Sequence, residues 1–138
     1  MIDSKILKFL SKQHLASLCV LDSSLQMCPF SAFYAFDKES ISLVIASDSS
    51  TKHIKALEFE HKICGTIAIN TLVVAKVEGV QFHADIITAN ADMADIYFKR
   101  FAYAKAMHPT LWQIRLNSIK YTSNTLGFAN KISWQREQ

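Results

Sequence analysis

With 138 residues, 50% of them hydrophobic and 20% charged, the chain has the size of one domain and enough apolar content for a packed core, which excludes a disordered polymer. A net charge of +3, scattered without a block or stripe, gives no nucleic-acid footprint. No apolar run approaches the ~20 residues that cross a bilayer, and the charge-broken start Met1–Lys8 is not a secretory signal, so a soluble, cytoplasmic protein is expected.

In chain order, Asp3 or Ser4 caps a first helix to about Gln13, with Ile6, Leu7, Phe9 and Leu10 on its apolar face. The period then changes to that of strands: Leu15–Leu21, Met27–Phe36 and Ile41–Ser47, joined by turns at Asp22-Ser23-Ser24 and Asp37–Ser40. Pro29 lacks an N–H and belongs at an edge or bulge of the second strand. A short helix follows over 51–59, then a strand over His61–Ile69 and a long one over Val73–Ile87. In the latter, a bulge at Gly79 would restore the alternation that breaks there. Asn90 caps a further helix, with Asp92 and Asp95 in its first turns and Lys99, Arg100 and Lys105 near its end. Beyond Pro109 come a strand over Leu111–Thr122, a turn at Asn124–Phe128 and a short terminal strand around Ile132-Ser133-Trp134. The expected architecture is mainly β with α: six or seven mostly antiparallel strands closing a small barrel, with two or three flanking helices, in one domain over 1–138.

The chemistry-bearing residues are few. Three glycines form neither GxGxxG nor GxxxxGK[ST], so a phosphate site here has to be built from side chains and a helix start. Ser47-Asp48-Ser49-Ser50-Thr51-Lys52-His53, between a strand and a helix, is the stretch that fits. It combines unpaired helix N–H groups, hydroxyls, Lys52 and His53. The same residues also fit an ordinary Ser/Thr-capped surface helix. Cys19, Cys28 and Cys64 show no CxxC spacing and read as buried free thiols, not as a metal site or disulfide. His14, His53, His61, His83 and His108 have no ligand spacing, so no metal is expected, and no Ser-His-Asp or Cys-His order stands out.

The element order, with Ser31–Asp37, Glu78–Phe82, Trp112–Leu116, Ile119–Thr122 and above all Asn124-Thr125-Leu126-Gly127-Phe128-Ala129-Asn130-Lys131, resembles the split barrel of pyridoxamine 5′-phosphate oxidase. The resemblance covers nearly the whole chain. It is sharpest to a small group of that superfamily, the YhbP-like proteins. It implies a homodimer with two FMN sites at the subunit interface. Thr51, Lys52 and His53 fall on the trio that holds the FMN phosphate in the oxidases, and Ser47 where a Thr commonly ends the strand. Trp112 falls near a flavin-contacting Trp, with strand core or dimer interface as the alternative. Gln81 can meet a flavin ring edge or lie on a solvated rim. Phe33 and Tyr34 can lie along the isoalloxazine or pack in the core.

The chain also departs from that pattern. No Arg or Lys lies in Phe33–Phe36, His53 stands in place of a Lys, and Val74 in place of a Gln. Each loss removes a charge-assisted contact of roughly 1.5–3 kcal/mol. Two such losses weaken FMN binding by about a hundredfold or more. FMN that is loosely held, or absent from the purified protein, is therefore implied. The Arg and His that grip pyridoxamine phosphate in the oxidases have no counterpart, so pyridoxamine phosphate oxidase activity is not expected. Haem is set aside, because split-barrel relatives that handle it use an added C-terminal segment, and the chain stops at Gln138.

The expectation is an FMN-dependent oxidoreductase acting on a small molecule, with no catalytic acid or base readable. The alternatives are a non-enzymatic flavin- or phospholigand-binding protein, or a structural dimer without cofactor.

Overall fold

The computed structural model describes residues 1–124 and 130–137, residue 130 by its backbone. Residues 125–129, which carry most of the expected turn and of the motif Asn124–Lys131, lie outside the described residues.

The elements follow the sequence closely: α1 Ser4–Lys12, β1 Leu15–Leu21, β2 Met27–Asp37, β3 Ser42–Ala46, α2 Lys52–Lys55, β4 Lys62–Ala68, β5 Glu78–Thr88, α3 Ala91–Arg100, β6 Leu111–Ser123 and β7 Asn130–Gln135. The strands form one antiparallel sheet in the order β3-β2-β1-β4-β5-β6-β7. A further β3–β6 pairing closes six of them into a barrel, with β7 outside on β6. The mainly β barrel with flanking helices is therefore the architecture of the chain.

The barrel interior is filled by one residue in two along each strand. Ala16, Leu18 and Val20 point inward from β1, and Val80, Phe82, Ala84 and Ile86 from β5. Each fully buried aliphatic side chain contributes about 1.5–3 kcal/mol. Asp3 accepts from the Lys5 N–H to start α1, which feeds Ile6, Phe9 and Leu10 into the same core. β3 is buried on both faces, so Ser42-Leu43-Val44-Ile45 reads as a continuous run. Leu43 and Ile45 enter the barrel, while Val44 packs with Ala35 and Leu111 beneath Met93, Tyr97 and Phe101, which come from α3 and its C-cap. Asn90 caps α3 by accepting from the Met93 N–H.

Several expectations are corrected. β5 begins at Glu78; Val74–Lys76 form a single 3-10 turn, and Val73, Val74 and Val77 are exposed. Because Val77 lies outside the strand, its phase mismatch with Val80 needs no bulge, and β4–β5 pairing runs unbroken through Gly79. The irregularity lies on β6. There His83 faces Ser118 and Ala84 faces Leu116, leaving Asn117 as the extra residue. This shifts the buried phase from Ile114 and Leu116 to Ile119 and Tyr121. α3 ends at Arg100, and a 3-10 segment over Ala102–Met107 contains Lys105. Of the cysteines only Cys28 is buried; Cys19 and Cys64 face outward and are half-buried. Pro29 lies on the part of β2 that pairs with β1 alone, as an edge proline must.

Candidate functional site

β2 and β3 pair only from Tyr34↔Ile45 to Asp37↔Ser42. Past that point they separate, and α2 packs against β1 and β2. The turn Ser47–Thr51 lies at this split. It is tied to β6 on its other side: the Ser47 N–H donates to the Thr110 carbonyl (3.0 Å), and the Trp112 indole N–H donates to the Ser47 carbonyl (3.0 Å).

Asp48 organises the turn itself. Its carboxylate accepts from the Ser50 N–H at 2.8 Å, and its carbonyl accepts from the Thr51 N–H at 3.1 Å, an Asx turn. The Ser50 N–H, and after it the Ser50 hydroxyl, hold its carboxyl below the usual carboxylate range. Thr51 makes no side-chain cap bond to α2; its hydroxyl donates to the Asp48 carbonyl at 2.8 Å. The capping role open to these hydroxyls is thus not taken up by Thr51.

His53 reaches back over the turn. Its Nε2 lies 2.6 Å from Ser47 Oγ and 3.2 Å from Thr51 Oγ1. Since the Thr51 proton is committed to Asp48, its oxygen accepts, and the tautomer with the proton on Nε2 satisfies both contacts. The imidazole stacks on Phe30, centroids 3.7 Å apart and planes at 5°. Burial lowers its pKa, so the ring is neutral near pH 7. Ser47, Thr51, His53 and Trp112 thus form one cluster.

The other sequence-derived residues lie elsewhere. Successive residues of a helix point ~100° apart. Lys52 accordingly turns away from His53, placing its ammonium 3.4 Å from Gln26 Oε1 beside the β1–β2 turn. Tyr34 is fully buried, its hydroxyl donating to the Leu10 carbonyl at 2.8 Å. Phe33 is 51% exposed on the outer wall, between His14 and Phe101. Gln81 is exposed on β5, seven residues before the Thr88↔Trp112 pair and so ~23 Å away along the strand. A single protomer does not bring Gln81 and Trp112 to one small ligand. Phe30 is the part that sequence reasoning missed; Asp48 lies within the stretch it named, with its organising role unread. Phe30 shares the phase of buried Cys28, the one available signal that it faces the split.

A groove of about 540 Å³ opens on the far side of Ser47, lined by Ser49, Tyr97, Met107, His108 and Thr110 among others. Its size lies within the ~300–1,000 Å³ of small-molecule sites. Among the described residues no cluster of three or more His, Cys, Asp or Glu is placed to hold a metal ion.

No family model matches the chain. It is 35% identical over 134 residues to a UPF0306 protein of Klebsiella pneumoniae (strain 342), covering 94% of this chain and 90% of that one. It is 35% identical over 135 residues to the UPF0306 protein YhbP of Escherichia coli O127:H6, covering 95% and 96%. The chain belongs to the UPF0306 family. Solved structures similar to this UPF0306 chain share its fold at low identity. A heme binding protein from Mycobacterium smegmatis has a TM-score of 0.78 at 11% identity, over 98% of this chain and 59% of that one. HutZ, the heme storage protein from Vibrio cholerae, has 0.66 at 12%, over 83% and 89%. A FAD-binding protein from Mesorhizobium loti has 0.70 at 10%, over 86% and 92%. The UPF0306 chain thus has the barrel fold of these neighbours, the architecture expected from its sequence. No helix among its described residues is long and apolar enough to cross a membrane.

Proposed function

We propose that the protein is an FMN-binding, flavin-dependent oxidoreductase that works as a cytoplasmic homodimer, with the cofactor phosphate at the Ser47–His53 turn. The observation that carries this reading is the convergence of Ser47 Oγ and Thr51 Oγ1 on His53 Nε2 at the barrel split. The Ser47 hydroxyl and the His53 Nε2–H can turn toward phosphate oxygens, and the Thr51 hydroxyl joins them on leaving the Asp48 carbonyl. The donor set fits an anion, and three features of charge weaken it. His53 is neutral in the free chain, and Lys52 has to leave its long, exposed contact with Gln26 to reach the phosphate. The Asp48 carboxylate also lies in the turn, and opposes an anion. Weak, pH-dependent retention follows.

Trp112 fixes the turn through the Ser47 carbonyl, and the groove beside Ser47 offers room for a planar ring system. Bound flavin would supply hydride or electron exchange at its ring, the protein supplying position and electrostatics. The homodimer draws support from Leu15 and Phe33, exposed apolar residues directly opposite each other on the outer wall of β1 and β2. The FAD-binding fold neighbour adds support for a flavin.

The test is a titration of flavin fluorescence with purified protein and micromolar FMN. Quenching in the wild type is expected, with Lys52→Ala weakening affinity by about 1.5–3 kcal/mol. No quenching and no change in thermal midpoint with FMN would overturn the reading. Quenching without turnover under NAD(P)H and oxygen would favour the non-enzymatic flavin-binding protein instead.

A further inference from the structure

Cys19 on β1 and Cys64 on β4 stand directly opposite each other in the antiparallel register. Both point to the outer wall, because Leu18, Val20 and Ile63 take the inward positions on either side. The phase of this pair is fixed by two backbone bonds on the other side of β4. The Ile69 N–H donates to the Glu78 carbonyl, and the Ile86 N–H to the His61 carbonyl. Each bond joins directly opposed residues, so odd-numbered β4 residues bond to β5 and even-numbered ones to β1. Cys19 and Cys64 are therefore a hydrogen-bonded pair, with Cα atoms ~5.5 Å apart. That separation lies inside the ~4.4–6.8 Å disulfide window. β1 and β4 already run close beside it, since a Cβ on Gly65 would meet the Ser17 carbonyl at 2.4 Å.

Both thiols open on a groove of about 290 Å³, whose lining includes Met27, Lys62, His83 and Asp85. His83 faces Cys64 across the other strand boundary as a non-hydrogen-bonded pair, in which side chains approach more closely. Cys28 takes no part. It points inward, its sulfur 3.6 Å from the Gln26 carbonyl and 3.9 Å from Asp22 Oδ2.

We propose that Cys19 and Cys64 form a reversible dithiol–disulfide site on the outer barrel wall, oxidised by low-molecular-weight disulfides of the glutathione class. In the first step the Cys19 thiolate attacks one sulfur of the small disulfide. A Cys19 mixed disulfide forms, the small disulfide's S–S bond breaks, and one thiolate leaves and is protonated. Burial and the neighbouring negative charge of Cys19 hold the Cys64 thiol up, so it is still protonated at this stage. Once Cys19 is capped its charge is gone. Cys64 then loses its proton to water or to His83 and attacks Cys19 Sγ, releasing the second small thiolate. The protein loses two hydrogens and two electrons, which appear in two molecules of small thiol.

Reversibility has a geometric cause. In a hydrogen-bonded pair the Cβ atoms stand near ~5.5 Å, against ~3.5–4.5 Å in a disulfide, so closure draws the strands together and strains the product. Strained, partly exposed disulfides are the readily reduced ones.

None of these residues belongs to the Ser47 turn, so the test is independent of flavin binding. Reduced full-length protein is incubated with oxidised glutathione, the free thiols are alkylated in denaturant, and intact and peptide masses are read. The wild type is expected to lose two hydrogens, to yield a Cys19–Cys64 linked peptide with Cys28 alkylated, and to revert in excess reduced glutathione. Cys28→Ser should behave like the wild type, and Cys64→Ser should stop at one glutathione adduct on Cys19. A stable glutathione adduct as the wild-type end product, three alkylated thiols, or a linkage through Cys28 would overturn the proposal.

Discussion

The imidazole of His53 lies flat on the ring of Phe30, with 3.7 Å between centroids and 5° between planes. This contact joins α2 to β2 across the split where β2 and β3 part. It also sets the direction of Nε2 toward Ser47 and Thr51. Replacing Phe30 with Leu keeps an apolar side chain and removes the stack, worth about 0.5–1.5 kcal/mol. Urea denaturation should show a loss of that size. FMN affinity should fall with it, because His53 is then held only by its contacts with Ser47 and Thr51.

The pH response of the unliganded chain follows from His53. Burial holds its folded pKa below the unfolded value of 6.5. Between the two values the unfolded chain binds more protons, so stability rises with pH. The contribution is complete above the unfolded value and is lost as pH falls through it toward the folded one. Urea midpoints should therefore decline on acidification below about pH 6.5, and His53→Asn should remove that part of the decline. With FMN present the sign reverses: phosphate beside the imidazole favours its charged form, so affinity should rise as pH falls from about 7.5 to about 6. An FMN affinity independent of pH in the wild type would count against phosphate at this turn.

Tyr34 separates core from cofactor roles. Its phenol bonds the Leu10 carbonyl within the barrel, and burial raises its pKa well above the ordinary tyrosine range. Tyr34→Phe strips that carbonyl of its partner from the phenol at a cost of about 1–3 kcal/mol. The expected result is a lower thermal midpoint with the FMN dissociation constant unchanged. A change in FMN affinity without a change in stability would place the phenol at the ligand instead.

Gly65 sits where β1 and β5 crowd β4. A Cβ there would lie 2.4 Å from the Ser17 carbonyl and 2.8 Å from Phe82 Cζ. The first of these is backbone and cannot swing aside. Gly65→Ala should cost about 1–3 kcal/mol by overpacking, read in urea unfolding, with the strand content in circular dichroism preserved.

The sequence by itself determined the order and type of nearly every element, because apolar periodicity dictates which face of each strand or helix is buried. Phe82, Ala84 and Ile86 alternate with polar Gln81, His83 and Asp85 and fold with the apolar side inward, and Asp3 and Asn90 name their helix starts by chemistry. It also located the polar turn at Ser47–His53. Its errors arose where a local pattern has two readings. The phase break near Gly79 reflected a strand that starts later, at Glu78, while the real bulge is at Asn117, where the apolar phase of β6 changes from Ile114 and Leu116 to Ile119 and Tyr121.

Only the tertiary structure decided what meets what. Register set Cys19 against Cys64 and buried Tyr34 beneath α1. It kept Gln81 far from Trp112 and laid His53 on Phe30 while Lys52 turned away. These are relations between residues distant in the chain or around a helical turn. Strand pairing and packing across the barrel fix them, and no local preference encodes them.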